Sequence, residues 1–428
     1  MNTPLKLEGA APFLLAAHES VTRDEAGRRA DELLETLRAA EVARVLIASD
    51  DPAKLLVAIA AASRAKADLW IMAASHSAEK LESLAGEFGV GLLLTDGAPR
   101  LMTNEARAAG QGRICLMTSG TTGEPKIVAH TLERLVSRAV AASASVPESR
   151  WLLTYQPTSF AGLQVILTAA STGGAIVVAS HREPRAWFDA ARAHRVTHVS
   201  GTPTFWRSLL MVAEPGSLRS LRQATLGGES VDQPTLDRIR HAFPQSRITH
   251  IYASTEAGVV FSVNDGRAGF PASWLDGAVQ GVELRVRDGI LEVRTPRSML
   301  GYLSRHSASL SEGWLATGDR VEVSAERVHF LGREDDVINV GGAKVRPRVV
   351  ESFLLGLAGV AEARVFGCPN PITGHVVAAE VVVDRGIDQN ALRARLLRAC
   401  QAELAAPQVP RVLRFVDSVA VAASGKKG

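Results

Sequence analysis

MTSGTTGEPKIVAHT, residues 117–131, is a hydroxyl-rich stretch of small residues with one lysine, set between apolar runs. Gly120 and Gly123 let the backbone turn tightly and bring its N–H groups close to an anion. Thr118, Ser119, Thr121 and Thr122 add hydroxyl donors, and Lys126 adds a positive charge. The combination suits a phosphate cradle. It is not a Walker A loop, because the G-x-x-x-x-G-K-[ST] spacing is absent. Taken alone, an ordinary Ser/Thr/Gly surface turn is the competing reading.

The flanks of this loop read as α/β structure. DEAGRRADELLETLRAA (24–40), PAKLLVAIAAASRA (52–65) and AEKLESLAGEF (78–88) have helical spacing, while VARVLIAS (42–49), ADLWIMAAS (67–75) and VGLLLTD (90–96) read as buried strands. After the loop, strands are expected at 150–155, 175–180, 196–200, 222–227 and 248–253, with a helix at 234–243. Such β–α alternation predicts parallel sheet covered by helices. From about 279 to 331 short alternating runs predict antiparallel β structure. A small α/β unit follows, with strands at 363–369 and 376–384 and an amphipathic helix at 389–404.

At 428 residues the chain exceeds one compact core, and two to four units are expected. Its 46% hydrophobic and 22% charged content is that of a globular protein. A net charge of +3, with basic residues scattered, gives no reason to expect nucleic acid as a partner. Cys115, Cys368 and Cys400 form no C-x-x-C pair, so neither a zinc site nor a disulfide framework is indicated. The start carries only a short apolar patch, Ala10 to Ala17, without a basic leader. No apolar run reaches the ~18 residues that mark a membrane span. A cytoplasmic location is expected.

Other motifs add chemistry. In YASTEAG (252–258), Tyr252 offers a flat face to a nucleobase, Thr255 a hydroxyl to phosphate, and Glu256 an oxygen ligand suited to Mg²⁺. A helix N-cap at Ser254 or Thr255 is the alternative. In GWLATGDR (313–320), Asp319 can accept the hydroxyls of a ribose, or can be a turn residue. In FLGREDDVINVGGAKVRP (330–347), Arg333 can contact ribose or phosphate, and Gly341 and Gly342 permit close backbone approach.

In order and spacing these motifs resemble those of the acyl-adenylate-forming superfamily, which includes acyl- and aryl-CoA synthetases, peptide-synthetase adenylation domains and luciferases. ASGKKG (423–428) resembles that family's terminal S-G-K motif. The resemblance runs from about residue 110 onward, and the chain is shorter than typical members. It implies a large N-terminal domain, 1–334, of parallel-sheet β/α subdomains plus the β-rich part. A small mobile α+β C-terminal domain, 335–428, would hinge at Asp335.

The resemblance also implies a reaction. ATP and a small carboxylic acid give acyl-AMP and pyrophosphate, and CoA or an acyl carrier protein's phosphopantetheine then takes the acyl group. Thr118 to Lys126, including Ser119, Gly120, Thr121, Thr122 and Gly123, would hold the β- and γ-phosphates. Thr255, with Ser254 beside it, would touch the α-phosphate region and Glu256 would hold Mg²⁺. Tyr252 would stack on adenine, and Asp319 and Arg333 would bind ribose. Gly227, Gly228 and Glu229 would run between the adenine and the acyl pocket. Lys426 would bridge the carboxylate and the α-phosphate, with Lys427 as the second candidate. Gly341 and Gly342 would face the thiol arm.

In YQPTSFAGL (155–163), Thr158, Ser159 and Phe160 stand where many relatives carry an aromatic residue and a histidine. Ser159, Phe160, Thr202, Trp206 and Gly227 are expected at the acyl pocket, with core packing the alternative for the aromatics. No charged residue clearly lines this region, so an uncharged tail is expected, on a small aryl or short-to-medium acyl acid. A ligase that loads a carrier protein or an amine without free CoA is the alternative enzyme, and a non-catalytic nucleotide-binding relative the alternative class.

Overall fold

The computed structural model describes residues 4–17, 19–102, 110–118, 126–141, 148–303, 313–421 and 427. Helix starts follow their capping residues. Thr22 Oγ1 accepts the N–H of Glu25 where the helix Arg23–Ala39 begins. Asp51 accepts the N–H groups of Ala53 and Lys54 at the start of Pro52–Ala65, with Pro52 in the first turn. That second helix is rich in alanine and leucine and buried over most of its surface. Its core joins Ala30 and Leu34 of the first helix, Ile47 and Ile71 of one sheet, and Phe13 and Ile176 of another. It is therefore a filler between two sheets rather than an outer layer.

The first sheet has seven strands in the order Gly301–Tyr302, Lys126–Thr131, Arg113–Thr118, Asp68–Met72, Arg44–Ala48, Leu92–Leu94 and Arg100–Leu101. The four from Arg113–Thr118 to Leu92–Leu94 run parallel. The second has eight, in the order Gly258–Val263, Arg247–Ser254, Gln223–Gly227, His198–Gly201, Arg150–Leu153, Ala175–Val177, Pro12–Leu15 and Ser20–Thr22. All but the two edge strands are parallel. The β–α alternation thus builds two sheets, and the apolar patch at 10–17 supplies a strand of the second.

The third sheet is antiparallel and runs from Phe270 to Arg333, beginning earlier than the expected 279. Gly301–Tyr302, inside that range, leaves it to pair with Lys126–Thr131. The fourth sheet contains Ile338–Val340, Ala343–Val345, Val360–Asn370, Gly374–Val383 and Val412–Phe415. It has its own core with the helices Pro347–Leu355 and Gln389–Glu403.

A buried ionic lattice ties this last unit to the second sheet. Arg207, on the helix Pro203–Leu210 with its side chain 1% exposed, lies 2.6 Å from Glu362 and 3.0 Å from Asp232. Arg348 reaches Asp232 at 3.2 Å, and Lys427 reaches Glu362 at 3.0 Å and Glu351 at 3.3 Å. Burial pushes Asp232 up, but Arg207 and Arg348 outweigh it and bring the carboxyl down to about 2. Glu362 is likewise held below the carboxylate range, burial being overcome by Arg207 and Lys427.

Carboxylates depressed in this way stabilise the fold above their unfolded values of ~4, and that stability is lost as pH falls through the folded-state value. Wild-type stability to urea should fall between about pH 4 and pH 2 as the Asp232 carboxyl titrates. Arg207→Ala at neutral pH leaves Asp232 with only Arg348 and Glu362 with only Lys427 as cationic partners, and should remove about 3 kcal/mol. A variant whose urea transition matches the wild type would contradict the lattice.

Candidate active site

The carboxyl ends of parallel strands from both sheets open on one cleft of about 1870 Å³, where Met72, Met117, Gly227 and Ser254 lie in its wall. Open α/β sheets bind ligands at this end. Lys126, Tyr252, Thr255, Glu256, Gly228, Glu229, Asp319 and Arg333 line the same cavity. They come from segments far apart in the chain.

Thr255, Glu256 and Ala257 form the turn between the antiparallel strands Arg247–Ser254 and Gly258–Val263. The helix N-cap alternative is therefore wrong, although Ser254 Oγ does accept the N–H of Ala257 at 3.0 Å. Gly258 has φ +71, and a Cβ there would lie 2.6 Å from the Arg297 carbonyl, so the turn needs glycine. Beneath it, His130 Nε2 lies 2.6 Å from the Thr255 carbonyl and so carries the proton. Burial pushes the pKa of this ring down, which keeps it neutral.

Glu256 accepts a hydrogen bond from the Tyr302 hydroxyl at 3.1 Å. Lys126 Nζ stands 5.7 Å from the centre of the same phenol ring. Tyr302 thus spaces a lysine and a carboxylate along one wall. The motif reading missed it. The available signal was its rarity: the chain has only three tyrosines, and each touches this region. Tyr252 and Tyr155 line the cleft, and Tyr155 donates to the Gly227 carbonyl at 3.3 Å.

Asp319 and Arg333 are directly opposite in the antiparallel ladder. Their side chains approach to 3.5 Å, and the Tyr252 hydroxyl donates to the other Asp319 oxygen. The Tyr252 ring lies 5.2 Å from Phe261 and 5.0 Å from Phe330, at shallow angles to both. The phenol is therefore held as a fixed aromatic wall. Glu229 follows Gly228, whose φ is +85, and accepts from the Thr204 hydroxyl at 2.8 Å and the Lys427 N–H at 2.8 Å.

Several expected residues lie elsewhere. Thr202 is 1% exposed and caps the helix Pro203–Leu210 by accepting the Phe205 N–H. Trp206 is fully buried, its indole N–H donated to the Thr225 carbonyl at 2.9 Å. The cap and the apolar helix face direct both away from the cleft, so neither is a pocket residue. Ser159 and Phe160 do line the cavity, Ser159 also capping the helix Phe160–Thr172.

Gly341 and Gly342, at φ +56 and +89, form the two-residue hairpin between Ile338–Val340 and Ala343–Val345 and are not in the cleft wall. Asp335 lies beside Arg333, with 3.8 Å between its carboxylate and the guanidinium. Arg138, a charged residue not singled out in the sequence, also lines the cavity. Thr118 ends the strand Arg113–Thr118. Ser119, Gly120, Thr121, Thr122, Gly123 and Lys426 lie outside the described residues.

A doubly parallel scaffold with a nucleotide-sized cleft and an appended α/β unit defines the fold class. The chain belongs to the AMP-binding enzyme family: residues 114–313 match the family itself and 349–426 its C-terminal domain. It is 31% identical over 348 residues to a feruloyl-CoA synthase of Amycolatopsis sp, covering 74% of this chain and 69% of that one. It is 31% identical over 339 residues to a 2-succinylbenzoate–CoA ligase of Bacillus pumilus, covering 73% and 66%. Some curated relatives are matched over only 62–64% of their length. An anthranilate CoA ligase in complex with anthranoyl-AMP shares the fold, with a TM-score of 0.81 at 19% identity over 97% of this chain and 92% of that chain. Among the described residues no helix is long and apolar enough to cross a membrane.

Burial is the largest cause raising all three phenols, and the charges of Asp319 at Tyr252 and Glu256 at Tyr302 add to it. Groups raised in the folded state stabilise it below the unfolded value of ~10, and that stability is lost as pH climbs beyond it. Phenolate absorbance at 295 nm should therefore stay absent near pH 10 and rise only with alkaline unfolding. A reversible titration near pH 10 in folded protein would contradict this packing.

Proposed function

We propose that the chain activates a small carboxylic acid with ATP, giving acyl-AMP and pyrophosphate, and passes the acyl group to a thiol. The observation that carries this reading is the assembly of Lys126, Thr255, Glu256, Asp319 and Arg333 around one cleft at the strand ends. The acceptor is CoA or the phosphopantetheine of a carrier protein, which present the same thiol arm. The names of the relatives favour a small aryl acid, as do two aromatic walls, Tyr252 and Phe160.

In this reading Asp319 accepts the ribose hydroxyls, Arg333 fixes the carboxylate, and Tyr252 forms one wall of the purine slot. The Thr255 hydroxyl meets the α-phosphate. Thr118, Ser119, Gly120, Thr121, Thr122, Gly123 and Lys126 hold the β- and γ-phosphates. Gly227, Gly228 and Glu229 separate the purine slot from the acyl pocket. No general base is needed, since the acid is ionised at neutral pH. The difficulty is to bring two anions together, and positive charge must be placed before the carboxylate oxygen attacks the α-phosphorus.

Glu256 fits Mg²⁺, which is commonly bound through one or two carboxylates plus substrate phosphates. It lines the cleft with one oxygen steadied by Tyr302, and no described cluster of three or more His, Cys, Asp or Glu competes for a metal. Bound there, Mg²⁺ would neutralise phosphate charge. Lys426 bridges the carboxylate and the α-phosphate in the first half-reaction. The unit from Asp335 onward then turns, so that Gly341 and Gly342 approach the thiol arm.

An aryl-acid panel with ATP, Mg²⁺ and CoA, read by chromatography of AMP and mass spectrometry of the thioester, tests the reading. The expected product is AMP, and ADP in its place would refute it. Lys426→Ala should slow AMP formation by about 100-fold or more, while thiolysis of supplied acyl-AMP stays within a few-fold. Equal losses in both half-reactions would overturn the role of Lys426. Glu256→Gln should raise the Mg²⁺ concentration needed for half-maximal AMP formation by about tenfold, and an unchanged titration would exclude Glu256 as the ligand.

A further inference from the structure

The cleft continues past Phe160 and Val259 along one face of the eight-stranded sheet, beneath the helix Phe160–Thr172. Inner strands of a covered parallel sheet are ordinarily apolar on both faces. The far face here obeys that rule with Leu152, Val199, Ala224, Leu226 and Ile248. The cleft face does not, since it carries Ser200, Gln223, Thr225 and Thr249. Gln223 donates to Thr225 at 3.1 Å and Thr249 at 2.8 Å, and Thr249 donates to Asn264 at 2.6 Å. Gln164, Thr168 and Thr172 line the opposite wall at a spacing of four, which places them on one helix face. The channel is polar on both sides.

Two arginines line it: Arg247, whose Nε donates to Gln223 at 2.7 Å, and Arg138, which enters from a third side. Arg138, on the helix Leu132–Ala141, lines the channel and donates from Nη2 to Ser262 Oγ at 2.8 Å. Its Nη1 is buried without a hydrogen-bond partner. Among the described residues no carboxylate pairs with it. The neighbouring Arg297 spends its guanidinium on the carbonyls of Val259, Val260 and Gln280, so it adds positive charge and no compensation. His198, also in the wall, is pushed down to about 4 by burial and by Arg222 and Arg247, and is neutral at pH 7. Arg247 is exposed, and its charge is solvated. A half-buried cation in a cavity wall, with no described carboxylate against it, favours an anionic ligand there.

The sheet register gives the distance. Ser262 is paired with Ile251, three residues back along the strand from Ser254 at the reacting end. At a rise of about 3.3 Å per residue, the two positions are about 10 Å apart, the span of an aryl ring with a substituent at each end.

Resting on the adenylation reading above, we propose that Arg138 selects aryl acids bearing a second carboxylate at the end remote from the reacting one. The guanidinium pairs with this distal carboxylate. Arg138 is a specificity residue that does not touch the reacting atoms.

The test compares 3-phenylpropanoate with 3-(4-carboxyphenyl)propanoate in wild type, Arg138→Leu and Arg138→Lys. Binding is measured by calorimetry in the presence of a non-hydrolysable ATP analogue, and kcat/KM by AMP release. Wild type should bind the diacid at least tenfold more tightly than the monoacid. Arg138→Leu should lose that preference through KM, keep monoacid binding within about twofold, and recover part of the diacid preference as Arg138→Lys. A wild type that binds the monoacid as well as the diacid overturns the inference, as does an equal loss of both acids in Arg138→Leu. The binding arm needs no turnover. Diacid binding without AMP release would therefore sink the adenylation reading while leaving the distal site standing.

Discussion

Arg207 carries a full charge at 1% exposure, and the shape of the cleft depends on how that charge is met. One of its partners, Asp232, belongs to the second sheet's helical layer, and the other, Glu362, to the C-terminal sheet. Neither acid alone satisfies the guanidinium fork. The Arg207–Glu362 bond exists only when the two units are seated together, which brings Glu351 and Lys427 into the same cavity as Thr255 and Asp319. Removing such a charge from water is expensive, and the return comes from geometry rather than net stability. The arrangement fits a joint that must be specific.

The seat is consistent with the chemistry proposed for the cleft. Bringing a carboxylate to a triphosphate means overcoming repulsion between anions, so cations must be placed around the cleft. Lys126 and Arg333 stand on the sheets, and Lys427 comes from the chain end. In this seat Lys427 has its ammonium on Glu351 and Glu362 and its N–H on Glu229. Lys427, the second candidate for the bridging lysine, is thus held by three carboxylates.

Much of the fold was legible in the sequence because its signals are local. The helix expected at 52–65 is Pro52–Ala65, fixed by Asp51 and Pro52, and the strand expected at 376–384 is Gly374–Val383. What could not be read was assignment between sheets. The runs at 42–49 and 150–155 look alike, yet they belong to different sheets, because pairing depends on partners distant in sequence. At the site, Asp319 and Arg333 stood out by type, but that they face each other is a matter of register. Trp206 shows the reverse error: an aromatic beside a promising motif is core, because its helix must bury a face. Tyr302 and Arg138 matter through neighbours from other segments, Glu256 and Ser262, that no local pattern announces.

The central claim is that a carboxylate oxygen of the substrate becomes bonded to the α-phosphorus of ATP. Isotope transfer tests this bond directly. An active acid labelled with ¹⁸O in both carboxyl oxygens would be turned over with ATP and CoA, and the AMP examined by mass spectrometry. The account predicts AMP carrying one ¹⁸O, because thiol attack at the acyl carbon leaves the bridging oxygen on phosphorus. Unlabelled AMP, with both heavy oxygens kept in the acid or its products, would contradict it.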